Sequence, residues 1–458
     1  MRQLVIVCDL EHADKIRRAL DAYGHPEAVK DLIDVFPLDM SVDVDRQRAK
    51  HDILALLRSN RSLHKLTNLP LLCATREAGR YLSLNGLARE MGYEYQSENA
   101  RALCKADRLQ GTPVVGRLLN QCNLSVRAFS ASVLGNWAHY QIDRQWIDRW
   151  IQQFGRLGRF SWLGERLLRN LRMVDSAQLG KMLLGLRQDD EAAICVNRDR
   201  RATGKSGEVI ANLLTKQARG RVHESPASAI EAERNSKLVL FEDGLWSGTE
   251  AIGVLESLLG RRDEGRLKTP PLIDPDILKT LDLTLAYGVA TDYAESLVRR
   301  FLQNEGLSGV KIVASERVQI AGVELISGID SGEFDLGKLW EEGPPSAFVK
   351  PYLVACLECD PALDNAQRSS ANEFCREIGR QLFDNYLNAM CVRRGWSQWS
   401  ETKRQKCGLG MHGLGLLHAF GHSVPKASSP LLWGSGKVRW KNATLDWHPL
   451  FMHAAESV

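Results

Sequence analysis

Between residues 237 and 260 the chain reads KLVLFEDGLWSGTEAIGVLESLLG, and this stretch limits the fold more tightly than any other. Leu238, Val239, Leu240 and Phe241 form an unbroken apolar run, the pattern of a strand buried on both faces of a parallel sheet. Further on, Ile252, Leu255, Leu258 and Leu259 recur at helical spacing. A strand, a short glycine-bearing loop and a helix form the first part of a right-handed crossover, so the rest of the chain has to supply further parallel strands. Glu242 and Asp243 then fall at the carboxyl end of the strand, and Ser247-Gly248-Thr249 at the start of the helix.

That placement has chemical content. Open α/β sheets bind ligands outside the carboxyl ends of their strands, and a helix start offers unpaired N–H groups and a positive dipole end to an anion. Gly248 leaves the backbone open to close approach by a phosphate, while the hydroxyls of Ser247 and Thr249 add hydrogen bonds to its oxygens. Glu242 and Asp243 are hard oxygen donors, suited to sugar hydroxyls or to a Mg²⁺ ion carried by a polyphosphate. Acids and loop together point to a phosphorylated sugar.

A second anion site is expected upstream. Residues 192–196 read as a short strand, followed by NRDRRATGKSG and an amphipathic helix over about 208–216. A nucleoside-triphosphate loop ending in GKS needs a glycine five residues before Gly204, and Asp199 stands there. A shorter site fits the residues. Gly204 and Gly207 free the backbone, Lys205 supplies a point charge and Ser206 donates at a helix start, which suits a pyrophosphate; the other reading is a helix start with a solvated lysine. Residues 217–236 lack apolar periodicity and read as a mobile loop, either a lid carrying Arg219, Arg221 and His223 or a loop with solvated charges. Further strands are expected at 281–287 and 310–314, with Thr291 capping a helix whose inward face is Tyr293, Leu297, Val298, Phe301 and Leu302.

An apolar strand, two acids, three variable residues and a Ser-Gly phosphate loop resemble the signature of type I phosphoribosyltransferases. Three features resemble, more closely, the PRTase-CE family of bacterial conflict and antiphage systems. They are the Ser-Gly-Thr form of the loop, the helix carrying Trp150, Ile151 and Phe154, and the segment GLGLLHAFGHSVPKASSPLLWGSG followed by WHPLF at 447–451. The resemblance implies an α/β domain of type I phosphoribosyltransferase kind over residues 141–458, a mainly parallel sheet flanked by helices. It also implies phosphoribosyl pyrophosphate as ligand with Mg²⁺, Asp243 serving the metal and Glu242 and Asp243 the reacting sugar. The 5-phosphate would rest on Ser247, Gly248 and Thr249, and the pyrophosphate on Gly204, Lys205, Ser206 and Gly207. His422, Ser423 and Lys426 would meet the acceptor. Some purine-salvage members carry another acid in the variable triplet, whereas this chain has Trp246, so the resemblance implies an effector or regulator in antiphage defence rather than base salvage. The alternative is a catalytically degenerate fold acting as a ligand sensor or interaction module.

Residues 1–140 are expected to form a mostly helical domain. Within 82–109, a helix, a break at Gly92 and a second helix rich in Arg and Lys suggest a helix-turn-helix presenting Arg101, Lys105 and Arg108 to nucleic acid, or else a helical hairpin of an adaptor that binds a defence partner protein. We read no catalytic constellation there. Cys356 and Cys359 with Cys407 and His412 offer two halves of a zinc site, though more widely separated than in common zinc ribbons; otherwise they are ordinary small core residues. A net charge of +4 over 458 residues is too weak to argue for nucleic acid by itself. Ten irregularly spaced cysteines and an amino terminus that reads as a strand rather than a signal peptide lead us to expect a cytoplasmic protein, and the lack of any run of eighteen apolar residues argues against a membrane span.

Overall fold

The computed structural model describes residues 4–23, 33–40, 45–63, 71–109, 111–113, 115, 126–137, 140–187, 192–198, 206–217, 222–233, 237–261, 269–360, 363–395 and 397–452. The chain divides into two compact units, Met1–Asn136 with Asp143–Asp148, and Trp137–Ile142 with Arg149–Val458. Among the described residues no helix is long and apolar enough to cross a membrane.

In the first unit β1 (Leu4–Asp9), β2 (Ile33–Leu38), β3 (Leu71–Thr75) and β4 (Glu94–Glu98) form a parallel sheet in the order β2-β1-β3-β4. Successive side chains of a strand point to opposite faces, and β1 shows the result. Leu4, Ile6 and Cys8 pack with Ala13, Ile16 and Leu20 of the helix Leu10–Tyr23. Val5 and Val7 pack with Ala49, Ile53 and Leu57 of the helix Asp45–Leu63. All six residues of β1 are therefore buried, as a central strand covered on both faces requires. Helical residues outnumber strand residues among those described here, but they pack on a sheet of which the sequence reading recognised only the strand at Leu4–Cys8.

The helix-turn-helix does not form. After the helix Leu84–Met91 and Gly92 in a left-handed conformation (φ +70°), the chain enters β4 as an edge strand beside β3. Only two short helical turns follow, Ala100–Leu103 and Ala106–Leu109. The open edge of β3 takes up the backbone groups of residues 94–98, and that tertiary pairing overrides the local helical preference. Arg101, Lys105 and Arg108 are exposed, but not along one recognition helix.

In the second unit β5 (Arg172–Val174) precedes a five-stranded sheet. Its members are β6 (Ala193–Val196), β7 (Val222–His223), β8 (Lys237–Leu245), β9 (Asp282–Thr291) and β10 (Lys311–Val318), all parallel, in the order β10-β9-β8-β6-β7. The apolar run expected at 238–241 thus lies at the sheet's centre, with Leu238 and Phe241 at most 1% exposed. Thr291 caps the helix Asp292–Asn304 as expected, and Tyr293, Leu297 and Val298 are its buried face. β11 (His418–Phe420) returns to pair in parallel with β5, and β12 (Gly436–Trp440) with β13 (Ala443–Trp447) makes an antiparallel hairpin. Trp433, Trp447 and Phe451 are buried, and Phe154 stacks edge-on against both Trp150 and Trp447 with ring centroids 4.9 Å apart. The expected lid is replaced in part by regular structure: β7 is an edge strand and Pro226–Ala232 is a helix. His223, expected to be mobile, is buried and bonded to Glu233 at 3.1 Å, while Arg219 and Arg221 lie outside the described residues.

Candidate functional site

β8 continues past its apolar run to Leu245 because β9 runs alongside it, pairing Glu242 with Tyr287, Gly244 with Val289 and Leu245 with Ala290. Glu242 and Asp243 therefore sit within the carboxyl-terminal part of the central strand. Three residues after the strand ends at Leu245 the chain turns into the helix Thr249–Leu258 through Gly248, whose φ is +77°. A Cβ at Gly248 would be strained at that angle and would lie 3.3 Å from Leu297 and 3.4 Å from Val298. Ser247 is 9% exposed and its hydroxyl lies 3.0 Å from that of Thr249. The loop is tied down from β9: Thr291 Oγ1 donates to the Trp246 carbonyl at 2.7 Å and accepts from Ala294 N at 3.1 Å. Backbone N–H groups of the helix start and two hydroxyls are thus set beside a carboxylate pair, an arrangement that can hold an anion and a polyol together.

His422 arrives from far along the chain. Phe420 N donates to Ser423 O at 2.8 Å and Ser423 N to Phe420 O at 3.2 Å, closing a tight turn just after β11. Gly421 N donates to Val174 O at 2.9 Å and fixes that turn to β5. At its apex His422 is 5% exposed, with Nε2 2.9 Å from Asp243 Oδ2 across 179 residues of sequence. Its Nδ1 is buried and has no hydrogen-bond partner among the described residues. In the neutral tautomer whose Nε2–H donates to the carboxylate, Nδ1 is left as an acceptor. A family model, PRTase-CE, matches residues 147–452. The chain belongs to the PRTase-CE family. No curated protein and no solved structure matches it.

The PRTase-CE match takes in every strand from β5 to β13, and so both partners of the Asp243–His422 pair. The other sequence-predicted residues of the family's site divide in their placement. Ser423 is half-buried in the His422 turn, but Lys426 is committed elsewhere, its ammonium 3.8 Å from the ring centroid of Trp433 and 4.4 Å from that of Tyr386. Gly204 and Lys205 lie outside the described residues. Ser206 opens the helix Ser206–Gln217, and a Cβ on Gly207 would fall 2.1 Å from the Asn197 carbonyl, so only glycine lets this helix start press against the end of β6. Ser206 Oγ is buried without a partner among the described residues, as a hydroxyl reserved for a ligand would be.

Electrostatics bear on Glu242 in the PRTase-CE loop. Burial, followed by the nearby carboxylates of Glu250 and Asp243, pushes the Glu242 carboxyl well above the usual range, which favours its protonated form. Tyr287, opposite it on β9, is raised by burial and then by Glu242, and stays a neutral phenol. One strand further out, His418 and Arg172 hold Glu316 down to about 2, with Arg172 Nε 3.0 Å from Glu316 Oε2. His418 is 1% exposed, and its ring stands 5.5 Å from that of Trp246 and 5.3 Å from that of Tyr352. Arg172, Glu316 and His418 form a cluster next to Trp246 that the sequence reading missed; Arg172 and Glu316 stand 144 residues apart, and no local pattern marks either.

The zinc halves do not assemble. Burial pushes the Cys356 thiol up to about 11, Cys359 is exposed, and Cys407 is buried with its Sγ 3.2 Å from the Lys403 carbonyl. Among the described residues no group of three or more His, Cys, Asp or Glu is arranged to hold a metal ion.

Proposed function

We propose that the PRTase-CE domain binds phosphoribosyl pyrophosphate with Mg²⁺ and transfers the phosphoribosyl group to an acceptor whose proton passes to His422. The observation that carries this reading is the Asp243–His422 hydrogen bond at the edge of a glycine phosphate loop. Ser247, Gly248 and Thr249 would hold the 5-phosphate, and Gly204, Lys205, Ser206 and Gly207 the pyrophosphate. Glu242, whose carboxyl is shifted by burial toward its protonated form, is suited to hydrogen-bond a ribose hydroxyl. Asp243 is a hard oxygen donor fit to meet a Mg²⁺ ion that enters on the diphosphate, in keeping with that ion's habit of taking few protein ligands. When bound, the ion would offset charge on the departing diphosphate.

In the transfer the sugar carbon loses its C–O bond to the diphosphate and gains a bond to the acceptor. The acceptor's proton goes to His422 Nδ1, while Asp243 keeps the ring oriented through Nε2. Negative charge at Asp243 also favours the developing positive charge on the sugar. Trp246, packed against the rings of His418 and Phe420, stands where an acid would serve a purine, so the proton acceptor comes from the His422 turn instead. We place the activity in antiphage defence on the ground of the family resemblance.

Calorimetric titration of phosphoribosyl pyrophosphate, with and without Mg²⁺, against wild type and Asp243→Asn tests the binding. Pyrophosphate release across hydroxyl and amine acceptors tests the transfer. Absence of binding by the wild type would sink the reading. Binding without release under any acceptor would turn it into that of a sensor. Plaque counts in cells expressing wild type or Asp243→Asn test the defence role, and equal counts would remove it.

A further inference from the structure

The first unit has a site of its own at the edge of its sheet. From β1 the chain passes through the helix Leu10–Tyr23 on one face to β2, then returns through the helix Asp45–Leu63 on the other face to β3, which lies on the opposite side of β1. Where the connections part in this way a crevice opens outside the carboxyl ends of the two strands, and open α/β sheets bind ligands there. Asp9 ends β1 and Thr75 ends β3. Thr75 Oγ1 donates to Asp9 Oδ2 at 3.2 Å, and His12 Nδ1 lies 3.4 Å from the same oxygen.

Asp9 is 6% exposed, and its Oδ1 has no hydrogen-bond partner among the described residues. An aspartate just before a helix ordinarily accepts from the N–H groups of the first turn. Here no such bond forms among the described residues, and the oxygen is left over. A buried carboxylate oxygen without a partner is costly, and such a group calls for an explanation in function.

The chemistry of the missing partner follows from its surroundings. Oδ1 only accepts, so the ligand has to donate. A phosphate is disfavoured, because the helix begins at Leu10 with no glycine loop before it, and Asp9 and Glu11 put negative charge at its start. A caged metal is disfavoured as well, since no group of three or more candidate ligands is arranged for one among the described residues. A neutral hydroxyl donor meets these conditions, and acids that accept from a ribose hydroxyl occur in crevices of this kind, although there the acid follows a glycine-rich turn rather than ending the first strand. We propose that the crevice between the carboxyl ends of β1 and β3 binds a nucleoside, whose sugar hydroxyl donates to Asp9 Oδ1 beside the partly exposed His12.

Titration of the full chain with adenosine, guanosine, cytidine and uridine, without phosphoribosyl pyrophosphate, tests the proposal. At least one nucleoside binds wild type and Asp243→Asn alike, and binds Asp9→Asn about tenfold more weakly, the loss expected for one hydrogen bond to a charged group. Unliganded Asp9→Asn melts no lower than wild type, because asparagine keeps an oxygen to accept from Thr75 and the other oxygen, which it replaces, has no partner among the described residues. Thr75→Val, which releases Asp9 from its bond to the strand end, weakens the same nucleoside and serves if Asp9→Asn does not fold. The proposal is overturned if no nucleoside binds at millimolar concentration, if Asp9→Asn binds as wild type does, or if Asp243→Asn alone abolishes binding. It is also overturned if MgCl₂ by itself gives the signal that depends on Asp9.

Discussion

β1 and β8 both bring an aspartate to the carboxyl end of a strand buried within a parallel sheet, and the residues that follow set the two apart. After Asp243 the chain takes Gly244, Leu245, Trp246 and Ser247 before a left-handed Gly248 starts the helix, so four residues separate the acid from the glycine. After Asp9 the helix begins at once. Asp243 is matched by His422 at 2.9 Å, whereas one oxygen of Asp9 is matched by nothing among the described residues. The same strand-end acid is therefore set in different surroundings by the length of the connection after it and by what the rest of the chain brings to it.

Breaking the loop should have the largest effect. Gly248→Val places a β-branched side chain at φ +77° against Leu297 and Val298, and affinity for phosphoribosyl pyrophosphate in calorimetry should fall about a thousandfold as the charge-assisted phosphate contacts are lost. Nucleoside binding by the first unit should be unchanged. Breaking the match comes next. His422→Asn should lower turnover about a hundredfold while the dissociation constant of phosphoribosyl pyrophosphate moves by less than about threefold, the split expected of a proton acceptor rather than a binding group. A proportional loss of both would assign His422 to packing.

Glu316 supplies a matched acid against which Asp9 can be judged. Glu316→Gln should cost about 1–2 kcal/mol at pH 7 in denaturant unfolding, the worth of a hydrogen bond to a charged group. Its carboxyl is held down to about 2, so the native state binds fewer protons than the unfolded chain in the acid range. The stability it adds is complete above its ordinary value near 4.5 and is lost as pH falls toward 2; the gap between wild type and Glu316→Gln should close over that window. Asp9→Asn should show no such loss. The smallest effect is expected at the loop's strut: Thr291→Val removes both the helix cap and the bond to the Trp246 carbonyl, and should cost about 1 kcal/mol in the same measurement.

The second unit was the more legible of the two in the sequence. Four of its strands, β6, β8, β9 and β10, are legible because their apolar runs are separated by helical periodicity, although β9 and β10 extend to 291 and 318 rather than stopping at 287 and 314; β7 falls in a stretch that reads as a loop, and β5, β11, β12 and β13 carry no such signal. The extension comes from ladder pairing, which holds polar residues such as Glu316 in extended backbone and has no signal in local composition. The first unit misled the reading for the same reason. Residues 94–98, EYQSE, carry no apolar run, and become a strand only because β3 offers an unpaired edge. Lys426 was placed with the acceptor by its neighbours in sequence, but the aromatic rings of Tyr386 and Trp433 attract its ammonium more effectively than proximity along the chain could foretell.

By itself the sequence determined a parallel α/β domain and the strand–acid–acid–glycine–helix order of its loop, because these rest on side-chain periodicity and on backbone angles that only glycine adopts readily, and its match to the family model gave membership of the PRTase-CE family. Tertiary structure alone decided that His422 faces Asp243, that Arg172 and His418 hold Glu316, and that Asp9 meets Thr75 at a switch point. These pairs lie 66 to 179 residues apart, and are joined by strand order and turn closure rather than by any pattern within a window of sequence.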